Sequence, residues 1–370
     1  MGDRQSFKDA FQKKFKKEDV QVVTANSVRD INTYPSGILS FDVASGCGGF
    51  PQGRIVEVFG PESGGKSLLT LVSVAYDQKS SKSPSLYFDL EGGTPREWLE
   101  TLGLNIELFD IVPAGLNAGQ VLDAICLAIE EGNYRYIIID SVAAMIPRAE
   151  LEGQIDKSYM AELARTLSLG IKKVSEKLST TPNSPCVIMI NQIREKPGIM
   201  FGNPESTPGG RALKFYSAQR YRVTKKAQSE KTAAGDVVGH IVKVVNKKNK
   251  LGPPGRESEF FINYTEGVDT VGTIFAMMKD QNLYEKKGQK YILTVVNSAG
   301  ETSTIEFDKV GDIKDKLATD LIFQEQMYKQ CIDKHIGTYK VAAADLTSNE
   351  IGEFDDEFQK DFIDGDEKNP

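Results

Sequence analysis

Between Arg54 and Asn191 apolar side chains gather in short runs: IVEVF (55–59), LYFD (86–89), DIVP (110–113), YIIID (136–140) and CVIMIN (186–191). Segments of helix length separate them. Runs that are apolar at nearly every position, alternating with helical segments, predict parallel strands with helices packed on either side. The expected fold class is α/β, a mostly parallel twisted sheet with helices on both faces. Further on, RYRVTKK (220–226), HIVKVVNKK (240–248) and SEFFINY (258–264) alternate more and lack long helices between them. They are expected to extend the same sheet with antiparallel strands. Ligands of such sheets bind outside the carboxyl ends of the strands, which is where chemistry is sought.

The pattern changes on both flanks. Phe7, Phe11 and Phe15 recur every four residues and would form one stripe on a helix, docking either on this chain's own body or on another copy. Residues 193–215 contain three prolines and four glycines, hence a loop, yet Ile199, Met200 and Phe201 stand in its middle. The expected organisation is an N-terminal helix/strand arm (1–32), a core (33–267), a small α+β C-terminal domain (268–340) and an acidic disordered tail (341–370). No internal repeat is apparent.

Charge sharpens this division. The net charge is −7, and from Glu350 onward nine carboxylates face only Lys360 and Lys368, so the other residues are formally neutral. The first 17 residues are basic, with Arg4, Lys8, Lys13, Lys14, Lys16 and Lys17 against Asp3 and Asp9. Such polarisation implies a solvated acidic tail and a separate surface for nucleic acid or a partner, or else a tail that serves solubility alone. Cys47, Cys126, Cys186 and Cys331 are scattered and only His240 and His335 accompany them, so reduced thiols, a cytoplasmic setting and no zinc site are expected. No apolar run suits a signal peptide or a bilayer span, and no membrane partner is expected.

GPESGGKS (60–67) has the Walker A pattern, after a strand and before the apolar-periodic SLLTLVSVAY. In Gly60, Pro61, Glu62, Ser63, Gly64 and Gly65 small residues let backbone N–H groups wrap phosphates, and the following helix N-terminus adds partial positive charge. Lys66 is the expected contact to the β- and γ-phosphates, and Ser67 to Mg²⁺. Asp140, ending YIIID, is the second expected Mg²⁺ residue, through water. Glu91, just past LYFD, is the candidate to orient and deprotonate the attacking water; its alternative role is to cap the next helix, for which Thr94 before Pro95 is a good start. Trp98, the only tryptophan, would stack on adenine or else belong to the core.

The stretches GILSFDVASGCGGFPQGRIVEVFGPESGGKS, IIIDSVAAMIPRAELEG, MINQIREKPGIMFGNPESTPGGRALKFY and VVNKKNKLGPPG resemble the bacterial RecA-type homologous recombinases, from about Phe7 to about Tyr264. The resemblance implies a RecA-type P-loop ATPase core with ATP and Mg²⁺ as cofactors, in which Glu91 activates water and Trp98 covers the adenine. It implies that Gln192, beside Asn191, senses the γ-phosphate and relays it to the following loop. Lys248 and Lys250 would reach across a subunit interface to a neighbour's nucleotide. It makes 152–160 the first DNA-binding loop and the proline- and glycine-rich segment the second, with Met160, Arg165, Ser168, Lys172, Arg194, Met200, Phe201, Gly209, Gly210 and Arg211 as DNA-binding residues. Partners implied are single-stranded DNA, double-stranded DNA, further copies of the chain in a helical filament, and single-strand-binding or mediator proteins. An apolar loop tip is then explained, because bases rather than a protein core are its partner.

The chain departs from the family pattern at Lys172, Glu195, Pro197, Pro208 and Arg211. Lys172 keeps a charge but loses the bidentate geometry of an arginine. The implied function is ATP-dependent filament formation on single strands, homologous pairing and strand exchange in recombinational repair, with DNA-stimulated ATP hydrolysis and a link to the SOS response. The rivals are a hexameric RecA-fold helicase and a single-strand-binding scaffold that uses ATP only for assembly.

Overall fold

The computed structural model describes residues 4–15, 22, 32–151, 160–195, 205–208, 212–231, 237–263, 267–297 and 300–345. Its main sheet has nine strands. In chain order they are β1 (Ile55–Gly60), β2 (Ser85–Asp89), β3 (Phe109–Pro113), β4 (Tyr136–Asp140), β5 (Cys186–Gln192), β6 (Gln219–Lys231), β7 (Val237–Asn249), β8 (Glu257–Asn263) and β9 (Gly267–Val268). Across the sheet they lie in the order β9, β8, β7, β6, β1, β5, β4, β2, β3. The six from β6 to β3 are mutually parallel, and β7, β8 and β9 add antiparallel.

One expectation needs correction here. RYRVTKK lies in β6, which joins β1 in parallel, so the antiparallel extension begins only with β7. A parallel neighbour requires a crossover of a dozen or more residues. Residues 193–218 provide it; their described residues include the short paired strands Arg194–Glu195 and Glu205–Ser206 and the short helix Ala212–Tyr216, and no long helix.

The central strands β1, β4 and β5 bury both faces because their apolar residues split between two layers. In β4, Tyr136 and Ile138 join one cluster while Ile137 and Ile139 join the other; in β5, Ile188 and Ile190 oppose Val187 and Met189. The first layer is completed by Leu69, Leu71 and Val74 of the helix Lys66–Ser81. The second is completed by Val121, Leu122 and Ile125 of the helix Ala118–Glu131, and by Leu167, Ile171 and Val174 of the helix Met160–Thr180. Each such side chain contributes roughly 1.5–3 kcal/mol on burial. Asn117 and Gln120 start the Ala118–Glu131 helix with a reciprocal capping box. The two helices approach so closely that a Cβ on Gly170 would stand 2.3 Å from Leu122 Cδ1.

C-terminal to β9, the helices Thr270–Asp280, Val310–Thr319 and Leu321–Asp345 cover a three-stranded antiparallel sheet of Tyr284–Lys287, Lys290–Val296 and Thr302–Phe307. Its core of Ile274, Met278, Leu293, Ile313, Leu317 and Met327 takes in Leu39 and Val43 from the helix Leu39–Ser45. Beside them Asp42, fully buried, accepts hydrogen bonds from Ser36 N at 2.9 Å and from Tyr328 Oη. The Tyr328 ring stacks on Tyr76 of the Lys66–Ser81 helix, with centroids 5.7 Å apart. The last helix continues to Asp345, into the stretch 341–370 assigned to the tail. VAAAD (341–345) explains this, because alanine is the strongest helix former.

At the other end, Arg4–Lys14 is helical, and its rings form a ladder, Phe7 to Phe11 at 6.0 Å and Phe11 to Phe15 at 4.7 Å. None of the three belongs to a buried cluster. No helix among the described residues is long and apolar enough to cross a membrane.

Candidate nucleotide and nucleic-acid site

Parallel strands deliver their carboxyl ends to one edge, and the register sets them side by side. Gly60 of β1 is level with Gln192 of β5, and Asp89 of β2 with Asp140 of β4. The phosphate loop leaves β1 at Gly60, where a Cβ would lie 2.0 Å from Val223 O, so no other residue fits without moving the backbone. Pro61, Glu62, Ser63 and Gly64 form the turn, with Ser63 at φ 54, and Gly65 at φ 95 enters the Lys66–Ser81 helix. Lys66 is buried and its Nζ donates to Pro61 O at 2.7 Å, within the loop. Burial lowers the pKa of its ammonium, while Asp140 and Glu91 act in the opposite direction.

Ser67 Oγ donates to Asp140 Oδ2 at 2.5 Å, and Tyr87 Oη donates to the same oxygen at 2.8 Å. Burial pushes the Asp140 carboxyl above its usual pKa, and these hydrogen bonds resist the change. A hydroxyl and a carboxylate converging at the start of the phosphate-binding helix are hard oxygen ligands of the kind Mg²⁺ takes. Glu91 is exposed, and its Oε1 accepts from Ser141 Oγ at 2.5 Å and Gln192 Nε2 at 3.0 Å. Trp98, half-buried against the core, lines a cleft of about 340 Å³ together with Ser67, Tyr87, Glu91 and Asp140.

Three contributors at this edge were not legible in the chain. Asp89 accepts from the N–H groups of Gly92, Gly93 and Thr94 at 3.1–3.2 Å, which holds the turn bearing Glu91. Ser141 and Tyr87 support Glu91 and Asp140. Asp89 carried one usable signal, since it ends its strand as Asp140 does; the others depend on neighbours distant in sequence. The expected Thr94 cap is also corrected. Pro95 immediately precedes the helix Arg96–Thr101, with no side-chain cap, while the Thr94 N–H goes to Asp89 and its Oγ1 lies 3.5 Å from Tyr87 Oη.

Lys248 and Lys250 are not among the residues lining that cleft. Lys248 Nζ donates to the carbonyls of Lys214 at 2.5 Å and Phe215 at 3.1 Å, and Lys250 Nζ to Phe215 O at 3.1 Å. Burial, with Lys250 and Arg220 nearby, brings the Lys248 pKa down to about 8. These carbonyls belong to the short helix Ala212–Tyr216, whose Phe215 is 64% exposed.

Gln192 ends β5, and Asn191 Nδ2 bridges Glu57 Oε1 at 3.1 Å and Pro208 O at 3.0 Å. Pro208 is thus tied to β5, the strand that ends in Gln192. Arg194 opens a two-residue strand, Arg194–Glu195, paired with Glu205–Ser206. Met200, Phe201, Gly209, Gly210 and Arg211 lie outside the described residues, as does 152–159. Met160 begins the helix Met160–Thr180, on which Arg165, Ser168 and Lys172 are exposed at a spacing of one and two turns, a single outward stripe. Ser168 Oγ donates to Ala164 O at 2.7 Å, within its own helix.

A family model described as the RecA N-terminal domain matches residues 5–269. A Protein RecA of Lactobacillus acidophilus is 39% identical over 284 residues, 76% of either chain. A Protein RecA of Bacillus thuringiensis is 38% identical over 297 residues, 79% of this chain and 84% of its own. A solved structure of the RadB recombinase superposes with a TM-score of 0.48 at 23% identity, over 64% of this chain and 98% of that one.

Proposed function

Since the chain belongs to the RecA family and is therefore a nucleotide-binding recombinase of DNA recombination and repair, we propose that it hydrolyses ATP in response to single-stranded DNA. We further propose that it assembles on that DNA as a helical filament and exchanges strands with a homologous duplex. The observation that carries this reading is the Gln192–Glu91 hydrogen bond of 3.0 Å. One residue touches the water-activating candidate and also begins the loop expected to hold bases, so the two sites share a mechanical element.

ATP with Mg²⁺ supplies the phosphoanhydride to be broken and a divalent charge across its oxygens. Ser67 and Asp140 would hold the metal, and Lys66 would leave Pro61 O for the phosphates. Ser141 and Gln192 fix Glu91 through Oε1, so Oε2 is the oxygen that takes the proton of the attacking water. Lys248 and Lys250, outside this chain's own cleft, suit contact with the nucleotide of a neighbouring copy. In that arrangement the triphosphate lies at a seam and hydrolysis loosens it. Arg165, Ser168 and Lys172 offer a polar and basic stripe for phosphates, whose recognition is independent of sequence and weakens steeply with salt.

The test is single-strand affinity with a non-hydrolysable triphosphate, with diphosphate and with no nucleotide, together with phosphate release with and without DNA. The expected result is tight binding in the triphosphate state alone and hydrolysis stimulated by the strand. Equal affinity in all three states would overturn the coupling.

A further inference from the structure

Two stretches at opposite ends of the chain are near copies of one another. FKDAFQKKF (7–15) and FDDEFQKDF (354–362) carry phenylalanine at their first, fifth and ninth positions and agree at six of nine positions. The three differences all change charge: Lys8, Ala10 and Lys14 stand where the second stretch has Asp355, Glu357 and Asp361. The first stretch has three lysines and one aspartate, net +2; the second has four carboxylates and one lysine, net −3. Because charge reversal hides the shared apolar frame, this short repeat escapes a reading of the chain for repeats.

The structure shows what the first copy presents. Its phenylalanines form a ladder along one side of the Arg4–Lys14 helix, with Phe7 61% and Phe15 37% exposed and none of them in a buried cluster. Lys14 Nζ lies 5.6 Å from the Phe15 ring centre, so the stripe is flanked by positive charge. An aromatic stripe with a basic border calls for an aromatic partner with an acidic border. Residues 354–362 have that composition, and in helical conformation their rings would repeat at the same interval.

We propose that the aromatic stripe of the N-terminal helix is a docking surface for the acidic segment 354–362 of this same protein. Ring would pack on ring, with Lys8 and Lys14 opposite Asp355, Glu357 and Asp361. Each phenylalanine buries roughly 150–250 Å², so six rings bury on the order of 1,000 Å², the size of a transient contact. Binding is therefore weak, reversible and screened by salt. While the tail occupies the stripe, the stripe is withheld from any other copy of the chain.

The test uses a fluorescein-labelled peptide of residues 350–366 and the full chain carrying Phe354→Ser, Phe358→Ser and Phe362→Ser, which disables its own tail. Anisotropy is read without nucleotide or DNA, so the outcome does not depend on the recombinase reading. The peptide is expected to bind this acceptor at least fivefold more tightly than it binds the unaltered chain. Adding Lys8→Glu and Lys14→Glu to the acceptor should weaken binding at least tenfold, and a peptide with Asp355→Lys and Asp361→Lys should regain it. Phe11→Ser in the acceptor should weaken binding as well, with an unchanged melting temperature showing that the fold is intact. Absence of binding, equal binding by the unaltered chain, or indifference to the charge exchange would overturn the proposal.

Discussion

Among the described residues, Glu91 accepts hydrogen bonds on Oε1 from Ser141 and Gln192. If Oε2 receives the water's proton, removing its basicity while keeping its shape should spare binding and stop chemistry. Glu91→Gln is expected to retain triphosphate affinity and lose about 100-fold or more of the hydrolysis rate, measured as phosphate release at saturating ATP. Asp42 poses a different problem, because burial raises its pKa to about 7 against hydrogen bonds from Ser36 and Tyr328. Its folded-state pKa is above the unfolded value near 4. The folded chain therefore holds that proton where the unfolded chain releases it, and stability through this group falls as pH rises from about 4 to about 7. Asp42→Asn keeps an acceptor for Ser36 and Tyr328 and should flatten that part of the curve, read as the urea midpoint of both proteins between pH 5 and pH 8.

At the scale of elements, what could be read from the chain is what nearest neighbours in sequence determine. IVEVF, LYFD, YIIID and CVIMIN lie in β1, β2, β4 and β5 because residues apolar on both sides of a strand have no other way to be buried. GPESGGKS could be placed between strand and helix for the same reason. Two features escaped. The direction of β6 depends on how the chain crosses over after β5, which composition does not encode. The support of Glu91 by Ser141 and Gln192, and of its turn by Asp89, depends on register between strands distant in sequence. Trp98 shows how both kinds of information combine, since Pro95 was a legible helix start but the cleft beside Ser67 and Asp140 appears only in three dimensions. Nucleotide binding is expected to shift or quench the emission of this single tryptophan. An unchanged spectrum at saturating ATP would remove it from the base site.

For the molecule as a whole, the C-terminal unit has no core entirely its own. Leu39 and Val43, from a helix beside the main sheet, sit among Ile274, Met278, Met327 and Tyr328. Heating should therefore produce one calorimetric transition rather than two. Leu39→Ala should move that transition down by on the order of 5 °C without splitting it, because the lost contacts are common to both parts. Two resolved peaks in the unaltered protein would show that the units melt independently.

The stacked pair Tyr76 and Tyr328 gives this shared core a direction. Tyr76 stands ten residues beyond Lys66, about 15 Å along the same helix, so one continuous rod runs from the glycine-rich turn to the C-terminal unit.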